Sequence, residues 1–370
     1  MTVIESVRWS PDGAGVLIID QTQLPGRLVE RHLGSLDDVC DAITRLAVRG
    51  APALAVAGAM GLVVSLLPHR REPREQFDAR LREHAERIRA TRPTGVNLPN
   101  ALDRMVACAC AAVGETPAVH DALRAEADAL LQEDRAMCRR IGEHGLSLIA
   151  DGAKVLTHCN AGALATAGIG TALAPIYLAH EQGRRVQVFV DETRPLFQGS
   201  RLTAWELSRA GIPVTVIVDG AAAGLMRAGA IDLCIVGADR IAANGDVANK
   251  VGTYAAALSA QHHGVPFYVA APTSTLDLSL ANGDLIPIER RAPEELSRLG
   301  SARLTPDAVA IDNPAFDVTP AEMVTAIVTD VGVFRRPFDF RGAEGAEGAE
   351  GAKGARGFSA PLAPPAPSAP

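Results

Sequence analysis

Two residues that can do proton chemistry, a thiol and a carboxylate, each follow an apolar run with the composition of a buried strand. Cys159 comes directly after the run at 153–158, and Asp239 lies just beyond the run at 231–238. The carboxyl ends of parallel strands meet at one edge of a sheet, and ligands bind in the crevice along that edge. The sequence therefore predicts that a thiol and an acid face one crevice.

Cys159 is followed by a small-residue segment with a helical pattern, which places it at a predicted strand-to-helix junction. The amino terminus of a helix stabilises the thiolate, the reactive form of cysteine. A packing role is the alternative, because free cysteine is among the most frequently buried residue types. Cys234 lies inside its predicted strand, and there we expect packing alone.

Asp239 is followed by Arg240, so an ion pair between the two is the alternative to a chemical role. Adjacent side chains diverge, however, and burial at a strand end raises the pKa of a carboxyl group, which can then serve as a general acid. Asn249 and Lys250 follow about ten residues later, at the predicted start of a helix. An amide, a cation and free helix N–H groups together suit an anionic sugar phosphate.

Two arginines in the first half of the chain add positive charge near apolar or turn-forming residues. Arg49 precedes Gly50, Ala51 and a proline inside an apolar stretch, and Arg92 lies among turn residues. A charge in apolar surroundings needs a partner, and a substrate phosphate is one candidate. A purely structural role is the alternative for either arginine.

Patterns that suggest a metal or a nucleotide lack the spacing that those ligands need. His158 and Cys159 are adjacent, and neighbouring strand residues point to opposite faces, which argues against a dyad or a shared metal ion. No group of His and Cys in the sequence has zinc-ligand spacing. Gly168 and Gly170 lack the third glycine of a dinucleotide fingerprint and fall inside a helical pattern, so we expect them to allow close helix packing. We predict no metal and no cofactor.

The elements that must position these residues differ between the two halves of the chain. Alternating residues at 7–9 and 16–20 flank a turn cluster and predict a small hairpin. From Ser35, a predicted helix cap, to about residue 144 the periodicity is helical. The expected amino-terminal domain, residues 1–148, is therefore mainly helical with a small β-hairpin.

After Gly152, apolar strands alternate with helical patterns, which is typical of a parallel sheet with helices on both faces. The predicted fold class is α/β, with a Rossmann-like catalytic domain at 149–340. A tail at 341–370 has Gly-Ala-Glu triplets and a Pro/Ala/Ser run, the composition of a disordered segment. The predicted strands of the catalytic domain are 153–159, 186–191, 212–219, 231–237 and 265–271.

Composition argues against several partners. The 370 residues include 36 Lys and Arg against 43 Asp and Glu, and a net charge of −7 gives no general attraction to nucleic acid or an anionic membrane. The apolar stretch at 51–67 is too short for a bilayer span and contains two glycines, so we expect a buried helix. No amino-terminal signal segment is evident, and the six scattered cysteines are expected to be reduced, as in the cytoplasm.

Six motifs in order resemble those of the methylthioribose-1-phosphate isomerase family across about residues 1–338. One such motif is weak by itself, whereas six with matching order and spacing are specific. The departures are Val251 where isoleucine is common, Gly95, and the charged tail. The motifs are Arg-Gly-Ala-Pro-Ala at 49–53, Arg-Pro-Thr-Gly-Val-Asn-Leu at 92–98, Thr-His-Cys-Asn-Ala-Gly at 157–162, Asp-Glu-Thr-Arg-Pro at 191–195 continued at 198–203, Gly-Ala-Asp-Arg-Ile at 237–241, and Asn-Lys-Val-Gly-Thr at 249–253.

The resemblance implies a fold shared with ribose-1,5-bisphosphate isomerases and with regulatory subunits of the exchange factor for a eukaryotic translation initiation factor. The enzymes have the cysteine and aspartate pair and the regulatory subunits generally lack it, so Cys159 and Asp239 favour an enzyme. The implied reaction converts 5-methylthioribose 1-phosphate to 5-methylthioribulose 1-phosphate in methionine salvage. An isomerase of ribose 1,5-bisphosphate or 5-deoxyribose 1-phosphate, and a non-catalytic sugar-phosphate or nucleotide sensor, are the alternatives.

The same resemblance implies roles for individual residues, with Cys159 and Asp239 as the catalytic pair. The implied partner is a small-molecule sugar phosphate, without nucleic acid or membrane, and the implied assembly is a cytoplasmic homodimer. The residues implied to contact substrate are Arg49, Gly50, Ala51, Arg92, Gln198, Asn249 and Lys250.

Overall fold

The computed structural model describes residues 4–92 and 96–341. The tail that is predicted to be disordered lies outside the described residues apart from Arg341, and so does Gly95 of the second motif. Within the described residues, a small sheet and a group of helices precede a larger parallel sheet, so the predicted α/β class is confirmed. The domain boundary expected after residue 148 stays a prediction.

Three short antiparallel strands form the first sheet: β1 (Val7–Trp9), β2 (Val16–Ile19) and β3 (Glu30–Leu33). Pairing of β1 with β2 confirms the predicted hairpin. The sequence pattern does not predict β3, because Leu33 is its one buried residue and no apolar alternation marks the strand.

Five helices follow and form the helical part expected from the sequence. The Ser35 hydroxyl accepts a hydrogen bond from the Asp38 N–H, which confirms the predicted cap. Apolar side chains of these helices share one core with the first sheet. The helices are α1 (Leu36–Thr44), α2 (Ala51–Leu66), α3 (Arg74–Ala90), α4 (Asn97–Ala111) and α5 (Thr116–Gly145).

Helix α2 is the apolar stretch for which the sequence predicts a buried helix, and that prediction is confirmed. Of its 16 residues, 13 are buried, against α3, α4 and α5 among other elements. In the described part of the chain, the helical segment Ala51–His69 is the one that is long and apolar enough to cross a membrane. Most of it is buried inside the protein, as in a core helix.

Seven strands form the large sheet, and six of them are parallel. The five predicted strands are confirmed, 186–191 with the predicted bounds and the other four with shorter bounds, and two further strands extend one side. In order across the sheet, the strands are β16 (Val333–Arg335), β15 (Ala326–Val328), β10 (Phe267–Ala270), β7 (Leu233–Val236), β4 (Ala153–Thr157), β5 (Val186–Asp191) and β6 (Val214–Ile217).

Strands β4 and β7 are neighbours, and the chain changes direction across the sheet between them. Strands β5 and β6 lie beyond β4, whereas β10 and β15 lie beyond β7. A crevice opens at such a switch point, at the carboxyl ends of the strands. Cys159 follows β4 and Asp239 follows β7, so the fold brings the two residues to this crevice.

Helices cover the sheet, and successive residues of each strand point into different cores. Val155 of β4 belongs to one apolar cluster and Leu156 to the other, as the alternation of side chains in a strand requires. The helices of this part are α6 (Ala174–Glu181), α7 (Ala204–Arg209), α8 (Ala222–Arg227) and α9 (Thr253–His263).

The helix predicted directly after Cys159 is wrong. Residues 161–173 form a loop with one 3-10 turn, Ala163–Ala165, and α6 begins at Ala174. Gly170 has φ of 90°, and a Cβ there would lie 2.4 Å from the Gly162 Cα. The small residues therefore let two stretches of backbone meet, and the expected helix packing by Gly168 and Gly170 is also wrong. Gly168 instead lets the loop approach Cys138 of α5.

A second sheet of four strands was not apparent in the sequence pattern, and it corrects the placement of Asn249 and Lys250. Both residues belong to a strand, and the helix α9 begins only at Thr253. Its first amides are not free, because the Gly252 and Tyr254 N–H groups donate to the Asp317 carboxylate at 2.7 and 3.1 Å. In order, this sheet contains β11 (Leu276–Asp277), β8 (Arg240–Ala242), β9 (Val247–Lys250) and β14 (Phe316–Thr319).

A short helix, α10 (Glu294–Ser297), and a two-stranded ribbon complete the described elements. The ribbon pairs β12 (Arg298–Leu299) with β13 (Ala302–Arg303). The chain between β11 and α10 passes the crevice, where Ile286 and Ile288 form part of its wall. This segment therefore contributes to the site although it contains little regular structure.

Candidate active site

A pocket of about 590 Å³ opens at the crevice. Its wall is formed by the helical part, the seven-stranded sheet and the four-stranded sheet. Every residue to which the sequence assigned a site role lines this pocket, although those roles stay predictions. The nine residues are Arg49, Gly50, Ala51, Arg92, Cys159, Gln198, Asp239, Asn249 and Lys250.

Cys159 lies two residues beyond the end of β4, in a backbone conformation that displays its side chain. Its φ is 63°, in the left-handed region that residues other than glycine rarely adopt. Two hydrogen bonds hold this conformation: the Cys159 N–H donates to the Thr193 hydroxyl at 2.9 Å, and the Thr203 hydroxyl donates to the Cys159 carbonyl at 2.6 Å. The thiol is half-buried and faces the pocket.

Burial raises the pKa of the Cys159 thiol above its ordinary value. The cations Arg49 and Lys250 oppose this rise, whereas the negative charge of Asp239 adds to it. Stabilisation of the thiolate by a helix amino terminus, expected from the sequence, does not occur because a loop follows Cys159. The positive field at the thiol comes from side chains instead.

Asp239 lies in the turn between β7 and β8, and its side chain is accessible to the solvent in the pocket. Surrounding protein raises the pKa of its carboxyl group, and Lys250, Arg92 and Arg49 oppose the rise. Because the carboxyl group is open to pocket water, we expect a smaller effect than complete burial would give. Arg240 does not form the alternative ion pair with its neighbour, since it pairs with Asp277 at 3.2 Å.

Three cations face the pocket without an ion pair to a carboxylate among the described residues. Arg49 donates to the carbonyl of Asn160 at 2.8 Å, so an uncharged group is its structural partner. Lys250 donates to the Ala315 carbonyl at 2.9 Å and lies over the Phe316 ring. Arg92 is the third. Positive charge that no acid neutralises is suited to an anionic ligand.

The entrance to α2 brings backbone to the same wall. Gly50 has φ of 93°, and a Cβ there would lie 2.3 Å from the Ala165 carbonyl oxygen, so no larger residue fits. Ala51 begins α2 and lines the pocket. The positive end of the helix dipole therefore faces the pocket beside Arg49.

Two amide side chains add polar groups to the pocket wall. The Gln198 Oε1 is buried and has no hydrogen-bond partner in the protein, which suits a ligand hydroxyl as donor. The Asn249 Nδ2 donates to the Thr253 hydroxyl at 3.0 Å, which fixes the orientation of its amide.

His158 lies in a buried network next to Cys159. Its Nδ1 is 2.9 Å from an Asp191 carboxylate oxygen, and its Nε2 donates to the Val251 carbonyl at 2.9 Å. His158, Asp191 and Asp219 have ligand atoms within 4.8 Å of one another, as a metal site requires. Both imidazole nitrogens are already hydrogen-bonded, however, and the Asp219 carboxylate accepts from two backbone N–H groups. The contacts of this cluster fit an ion pair that links β4, β5 and the end of β9.

The sequence reasoning missed a set of residues that support the pocket from behind. Glu206 and Asn160 form a buried hydrogen bond beneath the loop after β4. Thr193 and Thr203 bind the Cys159 backbone. Asn160 and Thr203 lie inside the quoted motifs, so the signal was present, but nothing in one sequence distinguishes a supporting polar residue from a ligand contact.

The fold and the pocket define an α/β protein with an anion-binding crevice at the switch point of its parallel sheet. The chain belongs to the initiation factor 2 subunit family, whose family model matches residues 47–336. Relatives within this family include enzymes, which confirms the resemblance to methylthioribose-1-phosphate isomerases.

Two relatives cover nearly the whole described chain. A methylthioribose-1-phosphate isomerase from Gemmatimonas aurantiaca is 56% identical over 336 residues, which cover 90% of this chain and 95% of the relative. A 5-deoxyribose 1-phosphate isomerase from Moorella thermoacetica is 53% identical, with coverage of 90% and 95%.

Two solved structures have the same fold. The 5-methylthioribose 1-phosphate isomerase from Pyrococcus horikoshii superposes with a TM-score of 0.86 at 39% identity, covering 91% of this chain and 94% of that one. A structure described as subunit delta of the translation initiation factor eIF-2B from A. fulgidus has a TM-score of 0.83 at 42% identity, covering 90% and 96%. The two descriptions differ in function, so the residues of the pocket must decide between them.

Proposed function

We propose that this protein is an aldose–ketose isomerase that converts 5-methylthioribose 1-phosphate to 5-methylthioribulose 1-phosphate in methionine salvage. The observation that carries the proposal is the pocket in which a thiol, Cys159, and an acid, Asp239, lie among three cations. The names of several relatives support the same reaction.

The phosphate of the substrate is proposed to bind where Arg49, Arg92 and Lys250 meet the amino terminus of α2. Guanidinium and ammonium groups form strong charge-assisted hydrogen bonds with phosphate oxygens. The backbone at Gly50 and Ala51 adds the positive end of a helix dipole. Together these groups can balance a phosphate dianion beside the reacting carbons.

An aldose whose anomeric carbon carries phosphate has no free aldehyde, so ring opening needs assistance. We propose that Asp239, in its protonated form, donates its proton to the ring oxygen as the bond from that oxygen to C1 breaks. The raised pKa of this carboxyl group favours the form that can donate. The open-chain species then carries its positive charge at C1, next to the phosphate ester oxygen.

Two routes complete the isomerisation, and Cys159 has a role in each. In the first, the Cys159 thiolate removes the C2 proton, and the electron pair left at C2 forms a C1–C2 double bond in a phosphoenolate. The phosphoenolate is then protonated at C1 while the 2-hydroxyl proton leaves, which forms the C2 ketone. In the second, hydride moves from C2 to C1 while Cys159 stabilises the shift, and the 2-hydroxyl proton leaves as the ketone forms. Asp239 and Cys159 repel one another when both are ionised, so the protonated Asp239 that is present before ring opening favours the thiolate.

The charges of the pocket favour a substrate with one phosphate over a bisphosphate. Two further arginines at the wall are already neutralised, because Arg240 pairs with Asp277 and Arg291 pairs with Glu289. Apolar side chains such as Ile286 and Ile288 also line the pocket. A methylthio or methyl group at C5 suits such a wall better than a second phosphate does.

The alternative is a non-catalytic regulatory subunit, which the description of the A. fulgidus structure suggests. A sensor of sugar phosphates needs the cations but not a thiol and an acid in the same pocket. Cys159 is also held in a left-handed backbone conformation, which costs free energy that a merely structural residue does not require. These features favour the enzyme. A cytoplasmic homodimer that binds neither nucleic acid nor membrane is part of the same proposal.

The test is an assay of the purified protein alone with three substrates: methylthioribose 1-phosphate, 5-deoxyribose 1-phosphate and ribose 1,5-bisphosphate. We expect turnover of the first two. For the bisphosphate, kcat/KM should be at least about tenfold lower, because among the described residues no cation beyond the three assigned to the first phosphate faces the pocket unpaired. A preference for the bisphosphate would support the other isomerase. No turnover of any of the three would support the regulatory subunit.

A further inference from the structure

A carboxyl group that the proposed reaction does not use lies behind the pocket. Glu206 of α7 is 0% exposed, and its oxygens accept hydrogen bonds from the Asn160 side-chain amide and from the Tyr177 hydroxyl, the latter at 3.2 Å. The backbone N–H groups of Ala163 and Leu164 donate to it as well. All four partners are donors, which suits the acceptor-only carboxylate.

Asn160 connects this carboxylate to the pocket. Its Nδ2 donates to Glu206 and, at 3.0 Å, to the Thr203 hydroxyl, so the amide cannot turn over without losing both contacts. Its Oδ1 therefore faces Arg49, whose Nη1 lies 3.4 Å away, and the Arg49 Nη2 donates to the Asn160 backbone carbonyl at 2.8 Å. The amide orientation therefore governs the second contact of the guanidinium, in addition to the shorter contact with the backbone carbonyl.

The charges along this chain of contacts are separated by a neutral group. Arg49 touches the oxygens of Asn160, and the carboxylate of Glu206 lies on the far side of that residue. A carboxylate in direct contact with Arg49 would occupy the N–H groups that an anionic ligand needs. A countercharge placed one residue behind can hold the arginine in position and leave its outer N–H groups facing the pocket.

We propose that Glu206 is a positioning residue that, through Asn160, holds the Arg49 guanidinium in the orientation that binds the substrate phosphate. This inference rests on the proposed function, because it takes the phosphate to be the ligand of Arg49. Glu206 touches no reacting atom, so its effect is on binding. Its close approach to Gly162, where a Cβ would lie 2.1 Å from a carboxylate oxygen, fixes it against the loop.

The test compares Glu206→Gln with a matched control, Asp134→Asn. Asp134 is also a buried carboxylate, and it accepts from the Ala167 N–H at 2.6 Å, but it touches neither Asn160 nor Arg49. The assay is run above pH 7, where both carboxyl groups are ionised, since their pKa values are about 7 and about 6. Each substitution then removes one buried charge and places an N–H₂ group among donors. We expect the KM for methylthioribose 1-phosphate to rise about tenfold in Glu206→Gln with kcat changed less than about threefold, the scale of one lost charge-assisted contact. Asp134→Asn should leave KM within about twofold.

A double-mutant cycle with Arg49→Lys separates positioning from general destabilisation. If Glu206 acts through Arg49, its substitution should raise KM about tenfold in the wild-type background and less than about twofold in the Arg49→Lys background. Equal effects in both backgrounds, or an equal rise of KM in Asp134→Asn, would overturn the inference. Should Glu206→Gln not fold, Glu206→Asp provides the same comparison with the charge retained but withdrawn from Asn160.

Failure of this inference and failure of the proposed function give different results. If the wild-type protein does not turn over methylthioribose 1-phosphate, the proposed function is ruled out. If the wild-type protein is active but Glu206→Gln leaves KM unchanged, only the positioning role of Glu206 is ruled out. Thermal unfolding of each variant, measured beside the kinetics, identifies any loss that comes from an unfolded fraction.

Discussion

Two pairs of a thiol and a carboxyl group in this protein differ in what surrounds them. Cys159 and Asp239 face an open pocket with cations in its wall. Cys138 and Asp134 lie on α5 and face the loop after β4, and there the thiol is 4.0 Å from the carboxylate and both side chains are buried. Desolvation by the surrounding protein raises the pKa of all four groups, including the Asp239 carboxyl group that is open to pocket water, so raised pKa values do not separate the pairs.

Access and charge do separate them. The sealed carboxylate of Asp134 accepts loop N–H groups from Ala167 and Gly168, and its role is to hold the loop. In the pocket, by contrast, Arg49 and Lys250 add positive charge, and a ligand can reach both reactive groups. The comparison teaches that a perturbed pKa indicates burial, while an open wall with unpaired cations indicates a site.

The largest expected effect comes from exchanging the two thiols for hydroxyls. Cys159→Ser should cut kcat by at least about 100-fold with the fold intact, because a serine hydroxyl does not ionise near neutral pH. Cys138→Ser should retain kcat within about threefold, since its thiol is buried and does not line the pocket that contains Cys159. Turnover of methylthioribose 1-phosphate by the two purified variants checks this. Near-wild-type activity in Cys159→Ser would show that Cys159 only packs, as Cys138 does, and that the two thiols do not differ in function.

The buried carboxyl groups should make stability depend on pH in a defined direction. Burial raises the pKa of Glu206 to about 7 and that of Asp134 to about 6. A group whose pKa is higher in the folded state contributes stability that is fully present below its unfolded pKa and is lost as the pH rises through the folded value. Tyr177, the titratable neighbour of Glu206, stays neutral because its pKa is raised further.

Wild-type stability is therefore expected to fall between about pH 4 and pH 7, by at most ~1.4 kcal/mol per pH unit for each group that releases its proton. Glu206→Gln should flatten this fall up to about pH 7, and Asp134→Asn should flatten it up to about pH 6. Urea unfolding at a series of pH values gives the slopes. Variants with slopes equal to the wild-type slope would show that neither carboxyl group has a raised pKa.

A smaller effect is expected in the reaction of the thiols with iodoacetamide. Cys159 should react and should be protected severalfold by the product or by inorganic phosphate, because both would occupy the pocket. Cys138 is buried and should not react in the folded protein. Because the pKa of the Cys159 thiol is raised, its reaction with iodoacetamide should become faster as the pH rises. Mass mapping of the labelled peptides measures each thiol, and protection of Cys159 by neither ligand would place the anion elsewhere.

The sequence predicted the parts of this site that depend on topology. The strand runs before Cys159 and Asp239 imply neighbouring strand ends in a parallel sheet, and the structure brings both residues to one switch point. The resemblance added Gln198, which no local pattern identifies as a pocket residue, whereas Arg49 and Lys250 were already candidates for phosphate binding from their own surroundings. Their roles in binding and catalysis stay predictions.

The parts that the sequence could not predict depend on contacts between distant residues. The loop after Cys159 has the composition of a helix, but close approach of its own backbone at Gly170 determines its course. Asn249 lies in a strand because β8 and β14 pair with β9 on either side. Glu206 has no signal in one sequence, since a buried glutamate on a short helix differs from a surface glutamate only in its tertiary surroundings.

The most direct test of the account is a separate measurement of substrate affinity and kcat for Asp239→Asn. The substitution is nearly isosteric and keeps hydrogen bonding, but an amide cannot deliver a proton to the ring oxygen. Substrate should therefore bind with an affinity within about threefold of wild type, while kcat falls by about 100-fold or more. Lost affinity with retained turnover would make Asp239 a binding residue and would contradict the claim that a thiol and an acid in this pocket carry out the isomerisation.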